Sequence, residues 1–151
     1  SQLVLLHAPL LDAISSASIN TITAFSSQSL VNMAWSCSAL LLHDLPLLQA
    51  ISSSSIRLLG HEFGAVDLAN TAWAFSKISG DNLPLRHALA ASALAKCRHF
   101  DARHIAITAW SCAAQQYKDD PLMDALAAAS IPRISEFSAQ NLHNPAWAYA
   151  A

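Results

Sequence analysis

The sequence repeats one phrase, an alanine followed by a tryptophan, at an almost constant interval. Successive tryptophans are 38, 37 and 37 residues apart, at Trp35, Trp73, Trp110 and Trp147. A phenylalanine stands ten residues before each tryptophan, and the same period is kept by Pro9, Pro46, Pro84 and Pro121. Self-similarity at such a period is typical of helical repeat proteins, in which each unit buries its apolar face against its neighbours.

The residues after each phenylalanine predict where the first helix of a repeat, helix A, begins. A residue suited to an N-cap follows the phenylalanine, and a branched aliphatic residue stands five positions after it. This is the spacing of a hydrophobic staple. The predicted caps are Ser26, Gly64, Asp101 and Ser138, and their aliphatic partners are Leu30, Leu68, Ile105 and Leu142. Helix A is expected to extend to about His43, Ser79 or Tyr117.

The second helix of a repeat, helix B, is predicted to begin at the periodic prolines. Asp44, Asn82 and Asp119 stand two residues before their prolines as caps, and proline is tolerated in the first turn of a helix. Apolar residues at helical spacing follow. Pro132 falls where helix B of the third full repeat should continue, so this helix is expected to kink or stop early.

These elements predict an all-α fold, because no segment shows sustained two-residue alternation. We expect a right-handed α-solenoid of helical hairpins with eight helices, and we expect the tryptophans to be buried between repeats in a continuous core. The array divides into a partial repeat 1–24, full repeats 25–62, 63–99 and 100–136, and a partial repeat 137–151. Since it starts and stops inside repeats, the chain is expected to be a fragment of a longer protein.

Composition limits the classes of function. The chain is 54 % apolar and only 12 % charged, with a net charge of −2, whereas about 25 % charged residues is usual. This excludes a strongly basic nucleic-acid binder and favours an extended buried interface. The uncharged span between Asp12 and Asp44 is too polar for a membrane helix. Of three cysteines, Cys37 and Cys112 share one repeat position, so we expect reduced thiols in the core.

Two phrases, "FSSQSLVNMAWSCS" at 25–38 and "FGAVDLANTAWAFS" at 63–76, resemble the octotricopeptide repeat. The resemblance covers nearly all of the chain from Phe25 onward, although Val66 and Arg103 stand where that family has glutamine, and no RAP domain is visible. It implies a stack of helical hairpins that binds organellar RNA, with about one nucleotide per repeat. It also implies location in a chloroplast or mitochondrion.

If helix A lines the concave surface, the positions four, seven, eight and eleven after the phenylalanine form its exposed stripe. Position four varies most and carries side chains able to hydrogen-bond a base edge. The alternatives are that a solvated stripe varies freely and that the repeated asparagine bridges the backbones of adjacent repeats. The candidate recognition residues are Ser29, Asp67, His104 and Asn141 at position four, with Asn32, Asn70, Thr108 and Asn144 beside them.

The densest basic segment, "KCRHFDARH" at 96–104, supplies Lys96, Arg98 and Arg103 as candidate phosphate contacts. The alternative is a solvated corner between helices, where cations suit helix C-termini. Cys97, His99 and His104 lack a fourth partner, so no metal site is expected.

No nucleophile elbow or glycine-rich phosphate loop occurs, so we expect neither catalysis nor a cofactor. Two functions stay open. The chain is either a module that binds single-stranded organellar RNA or a structural subunit docked in a large organellar complex, such as a ribosome or a photosynthetic or respiratory assembly.

Overall fold

A computed structural model describes residues 7–78 and 82–150. Within these residues there are eight α-helices and no strands, which confirms the predicted all-α repeat fold. The helices are α1 Ala8–Thr21, α2 Ser27–Leu40, α3 Leu45–Leu58, α4 Ala65–Ile78, α5 Leu83–Lys96, α6 Ala102–Ala114, α7 Asp120–Ser130 and α8 Ala139–Ala150. Short 3₁₀ segments follow three of them, at Ile22–Ala24, Cys97–His99 and Ile131–Glu136.

The helices form two rows. The A row contains α2, α4, α6 and α8, the B row contains α1, α3, α5 and α7, and each helix packs on its neighbours in the same row. Neighbours in the A row pack more closely than neighbours in the B row. Small residues permit this, because Ala34, Ala69 and Ala106 are fully buried where the A helices meet.

The predicted starts of helix A are confirmed by their hydrogen bonds. The side chains of Ser26, Asp101 and Ser138 accept from the backbone N–H three residues later, at 3.3, 2.8 and 3.2 Å. Gly64 has no side chain to offer, and Asp67 Oδ2 instead accepts from the Gly64 N–H at 3.1 Å. The caps therefore fix the entry of the chain into every A helix.

The staple pairs form the centre of the core. Phe63, Leu68, Phe100 and Ile105 are each at most 2 % exposed. The last pair is looser, because Phe137 is buried while Leu142 is 43 % exposed. In the interior repeats the staple therefore both sets the start of helix A and fills the space between hairpins.

The predicted caps of helix B are also confirmed. Oδ1 of Asp44, Asn82 and Asp119 accepts from the backbone N–H three residues later, at 3.0, 3.2 and 3.0 Å. α7 ends at Ser130 after 11 residues, and Pro132 lies in the 3₁₀ segment that follows. The predicted early stop at this proline is confirmed.

Two A helices end three residues before the predicted positions, at Leu40 and Ala114. The reason is a left-handed residue just beyond each helix, Leu41 with φ 51° and Gln116 with φ 52°. The next N–H then bonds back to the helix, from Leu42 to the Cys37 carbonyl at 2.8 Å and from Tyr117 to the Cys112 carbonyl at 2.9 Å. The predicted end of the second A helix, residue 79, lies outside the described residues.

The prediction that the tryptophans are buried core residues is wrong for two of them and only partly right for the others. Trp35 is 52 % and Trp147 is 42 % exposed, while Trp73 and Trp110 are half-buried. The position ten residues after the phenylalanine lies at the solvent-accessible edge of the helix stack, where Trp73 packs only partly against the core, and aliphatic residues and alanines fill the buried space between repeats.

Candidate nucleic-acid interface

The A row presents one solvent-accessible surface, which we call the A-row face. It consists of the positions three, seven and ten after each phenylalanine, and these positions share a helix side because they are three or four residues apart. All twelve residues are exposed or half-buried. Position three carries Gln28, Val66, Arg103 and Gln140, position seven carries Asn32, Asn70, Ile107 and Asn144, and position ten carries the four tryptophans.

The predicted recognition stripe overlaps this face only in part. Its positions eight and eleven are buried in the interior repeats, where Thr71 is 1 %, Thr108 is 3 % and Ser111 is 0 % exposed. These side chains point towards the neighbouring A helix. The prediction that Thr108 belongs to an exposed stripe is therefore wrong, and its hydroxyl has no hydrogen-bond partner among the described residues.

Position four has a local role that sequence reasoning missed. Ser29 Oγ lies 3.1 Å from Ser26 Oγ, and Asp67 accepts from Gly64, as described above. His104 Nδ1 lies 2.9 Å from Asp101 Oδ1 and accepts from the Asp101 N–H at 3.4 Å, completing a capping box. The signal in the sequence was the spacing of three residues between cap and partner. Asn141 stands at the same position and is half-buried.

The asparagines at position seven form a row of amides. Asn32 Oδ1 accepts from Gln28 Nε2 at 2.9 Å, which leaves the Asn32 NH₂ group available. Asn70 and Asn144 are half-buried at the equivalent positions. None of the three side chains bonds to the backbone of an adjacent repeat in the part of the chain that the structure describes. The bridging alternative is thus not observed there.

The tryptophans continue the A-row face beyond the asparagines. The ring centres of Trp110 and Trp147 are 6.4 Å apart at an interplanar angle of 34°. Lys77 Nζ lies 4.9 Å from the centre of Trp110 and 6.0 Å from that of Trp73, within the range of a cation–π contact. The side chains of Trp73, Lys77, Trp110 and Trp147 therefore form a continuous row across three successive repeats.

Lys96, a predicted phosphate contact, is engaged in the fold. Its Nζ donates to the Phe63 carbonyl at 2.6 Å, in the same repeat, and to the Leu59 carbonyl at 3.2 Å, at the end of the preceding repeat. Arg98 and Arg103, the other predicted phosphate contacts, are exposed. The basic segment therefore divides into one structural cation and two accessible ones.

The contact made by Lys96 recurs along the stack. Arg57 donates to the Thr23 carbonyl at 3.3 Å, and Arg133 donates to the carbonyls of Phe100 and, at 3.3 Å, Arg98. We call these contacts the inter-repeat clasps. Each joins the end of a helix B to the turn that connects the preceding repeat to helix A of the same repeat. The approximate period of the three basic residues was the sequence signal for them.

The cysteines lie away from the A-row face. Burial and the nearby carboxylate of Asp119 raise the pKa of the Cys112 thiol to about 12, and burial raises the pKa of the Cys37 thiol. All three cysteines are unpaired thiols. Within the described residues, no group of three histidine, cysteine or acidic side chains could hold a metal ion. No described helix is both long and apolar enough to cross a bilayer.

The chain matches the model of a known protein family. The family model described as RESC6, RNA-editing substrate-binding complex 6 protein, matches residues 10–151. This match does not support the octotricopeptide family specifically. No curated protein shows significant similarity to the chain.

Proposed function

The chain belongs to the RNA-editing substrate-binding complex 6 family, and on this basis we propose that it is a non-catalytic module that binds single-stranded substrate RNA along the A-row face. The family description names an RNA-editing complex that binds its substrate, and RNA is the substrate of such a complex. Of the two predicted compartments we propose the mitochondrion, with no role in a chloroplast.

The observation that carries the proposal is the asparagine repeated at position seven. Asn32, Asn70 and Asn144 occupy equivalent accessible positions on three of the four A helices. An amide offers both donors and an acceptor, so it can pair with the edges of unpaired bases. Neighbouring helices in such a stack are about 8–10 Å apart, so an extended RNA strand could pass from one asparagine to the next.

The test is a titration of a labelled single-stranded oligoribonucleotide with the double variant Asn32→Ala/Asn70→Ala. Each lost hydrogen bond is worth about 1 kcal/mol, so we expect the dissociation constant to rise about 20- to 30-fold. Asn20→Ala is the matched control, because Asn20 is exposed on α1 in the B row. Equal affinity of the double variant and the control would contradict a role for the asparagine row.

A second function, a structural subunit docked on proteins of the same complex, is favoured by a different surface. Leu41, Leu45 and Leu83 are 63, 62 and 49 % exposed at the edge where A helices end and B helices begin. Exposed aliphatic residues along one edge are typical of a protein contact. Crosslinking within the purified native complex tests this second function. If it holds, this edge should crosslink to protein. Crosslinks from the A-row face to RNA would show that protein docking is not the only function of the chain.

A further inference from the structure

We infer that the four tryptophans of the A-row face form a stacking surface for the bases of single-stranded RNA. This inference rests on the proposed function and adds how the RNA is held. Position ten follows position seven by three residues, so each indole lies next to the position that carries the asparagine on the same side of its helix. A base that stacks on the indole would present its edge to the amide.

The first observation that supports this inference is the exposure of the indoles. Trp35 is 52 % and Trp147 is 42 % exposed on the first and last A helices, and the interior Trp73 and Trp110 are half-buried, so part of every indole is accessible. An indole has a large apolar area, so covering the accessible part of a ring with a ligand is stabilising. The same residue type recurs at this position in every repeat, although most of the buried core is formed by other residues. A ligand that covers the rings accounts for the pattern.

The charges of the A row favour a nucleic acid as the ligand. The four A helices contain one acidic residue, Asp67, and its carboxylate is bonded to the Gly64 N–H. Lys77 lies among the indoles, and Arg103 is exposed at position three. Accessible cations beside aromatic rings suit a chain of phosphates and bases, since single-stranded nucleic acids bind surfaces that combine stacking with positive charge.

The position of Lys77 indicates the path that an RNA strand would take across the A helices. Its ammonium group lies between the rings of Trp73 and Trp110, and the next indole, Trp147, follows at 6.4 Å from Trp110. A strand that crosses α4, α6 and α8 would meet aromatic faces in succession, with a cation within reach of its backbone. Because every base has an aromatic face, this contact is tolerant of sequence, and discrimination is left to the asparagines.

The experiment uses the whole chain and a 5′-labelled oligouridylate of about 12 nucleotides, with binding followed by fluorescence anisotropy. The variants are Trp35→Ala, Trp147→Ala and Trp147→Phe. Leu10→Ala is the control, because Leu10 is a 55 % exposed apolar residue on α1 in the B row. Circular dichroism confirms that each variant is folded, and quenching of indole fluorescence by unlabelled oligouridylate gives a second readout that a purely structural role would not affect.

We expect each tryptophan-to-alanine variant to weaken binding about tenfold, as loss of one stacked base predicts. Trp147→Phe should stay within about threefold of the unchanged chain because the aromatic face is kept, and Leu10→Ala should have no effect. Unchanged binding in the alanine variants, without quenching, overturns the stacking surface but leaves the proposed function intact. Failure of the unchanged chain to bind RNA overturns both. Loss of self-association in the same variants, with RNA binding unaltered, overturns stacking in favour of a contact between copies.

Discussion

The substitution Lys96→Met tests whether this residue holds repeats together or binds phosphate. In the structure, Lys96 Nζ donates to the Phe63 carbonyl at 2.6 Å and to the Leu59 carbonyl at 3.2 Å. Both carbonyls belong to nearly buried residues at the junction between α3 and α4. Methionine keeps most of the aliphatic length but removes both donors. The junction then loses its clasp to the end of α5.

The expected loss of stability follows from these two contacts. A hydrogen bond with a charged partner contributes about 1.5–3 kcal/mol. The contact with Phe63 is short and the contact with Leu59 is longer, so we count the first as a full hydrogen bond and the second as part of one. We reduce their summed contribution to stability because Lys96 is only half-buried and water screens its charge. The free energy of unfolding should fall by about 2–3 kcal/mol, and the melting temperature by about 5–10 °C for a chain of this size.

The assay is urea unfolding followed by circular dichroism at 222 nm, with Lys118→Met as the matched control. The Lys118 side chain is 85 % exposed and lies 3.8 Å from Asp120, so its loss should change the free energy of unfolding by less than about 0.5 kcal/mol. Equal losses in the two variants would refute the clasp. RNA affinity provides the second arm, because a structural Lys96 predicts an unchanged salt dependence in Lys96→Met wherever the variant stays folded.

Two further predictions concern buried polar groups. Thr71→Val and Thr108→Val should each raise the free energy of unfolding by about 1 kcal/mol in urea titrations, because each removes a buried hydroxyl that has no partner among the described residues; a loss of stability would show that the hydroxyl is satisfied. The second concerns Cys112, whose pKa is about 12 in the folded chain and 9.0 for an ordinary thiol. The unfolded chain therefore ionises first, and stability is lost as pH rises from 9 towards 12, by about 1.4 kcal/mol per unit. Cys112→Ala should remove this pH dependence. The difference in the free energy of unfolding between the unchanged chain and Cys112→Ala should therefore change between pH 8 and 10, and a constant difference would contradict the raised pKa of Cys112.

The sequence predicted the features that depend on near neighbours. Caps such as Ser26 and Asp44 and staples such as Phe63 with Leu68 involve residues at most five positions apart, so their spacing is visible in the chain. The early end of α2 was missed because Leu41 takes a left-handed conformation without the glycine that usually signals it. The burial of Trp35 was predicted wrongly because period alone does not tell which side of helix A meets the next repeat.

The candidate site was predicted less completely, for a related reason. Asn32 lies on the A-row face as expected, and Arg103, which was predicted only as part of a basic patch, lies there too, whereas Thr108 is buried. Positions seven and eight after the phenylalanine differ by about 100° around a helix, and only the packing of the A row decides which of them is covered. Lys96 was assigned to phosphate because it lies in the densest basic segment, whereas its carbonyl partner Leu59 is 37 residues away in sequence.

The clasps also limit the number of cations that remain for phosphate contacts in the proposed RNA binding. The sequence has eight lysines and arginines, and the clasps use Arg57, Lys96 and Arg133. Outside the clasps, Lys77, Arg98, Arg103 and Lys118 are exposed, so about four phosphates can be neutralised. For single strands the slope of log K against log salt is about −0.7 per phosphate, and a slope near −3 is expected. Arg103→Ala should make it shallower by about 0.7, and the slope should be the same in Trp147→Ala, since stacking releases no counterions. A slope of about −5 in the unchanged chain would mean that charge dominates and that amides and indoles do not carry the binding.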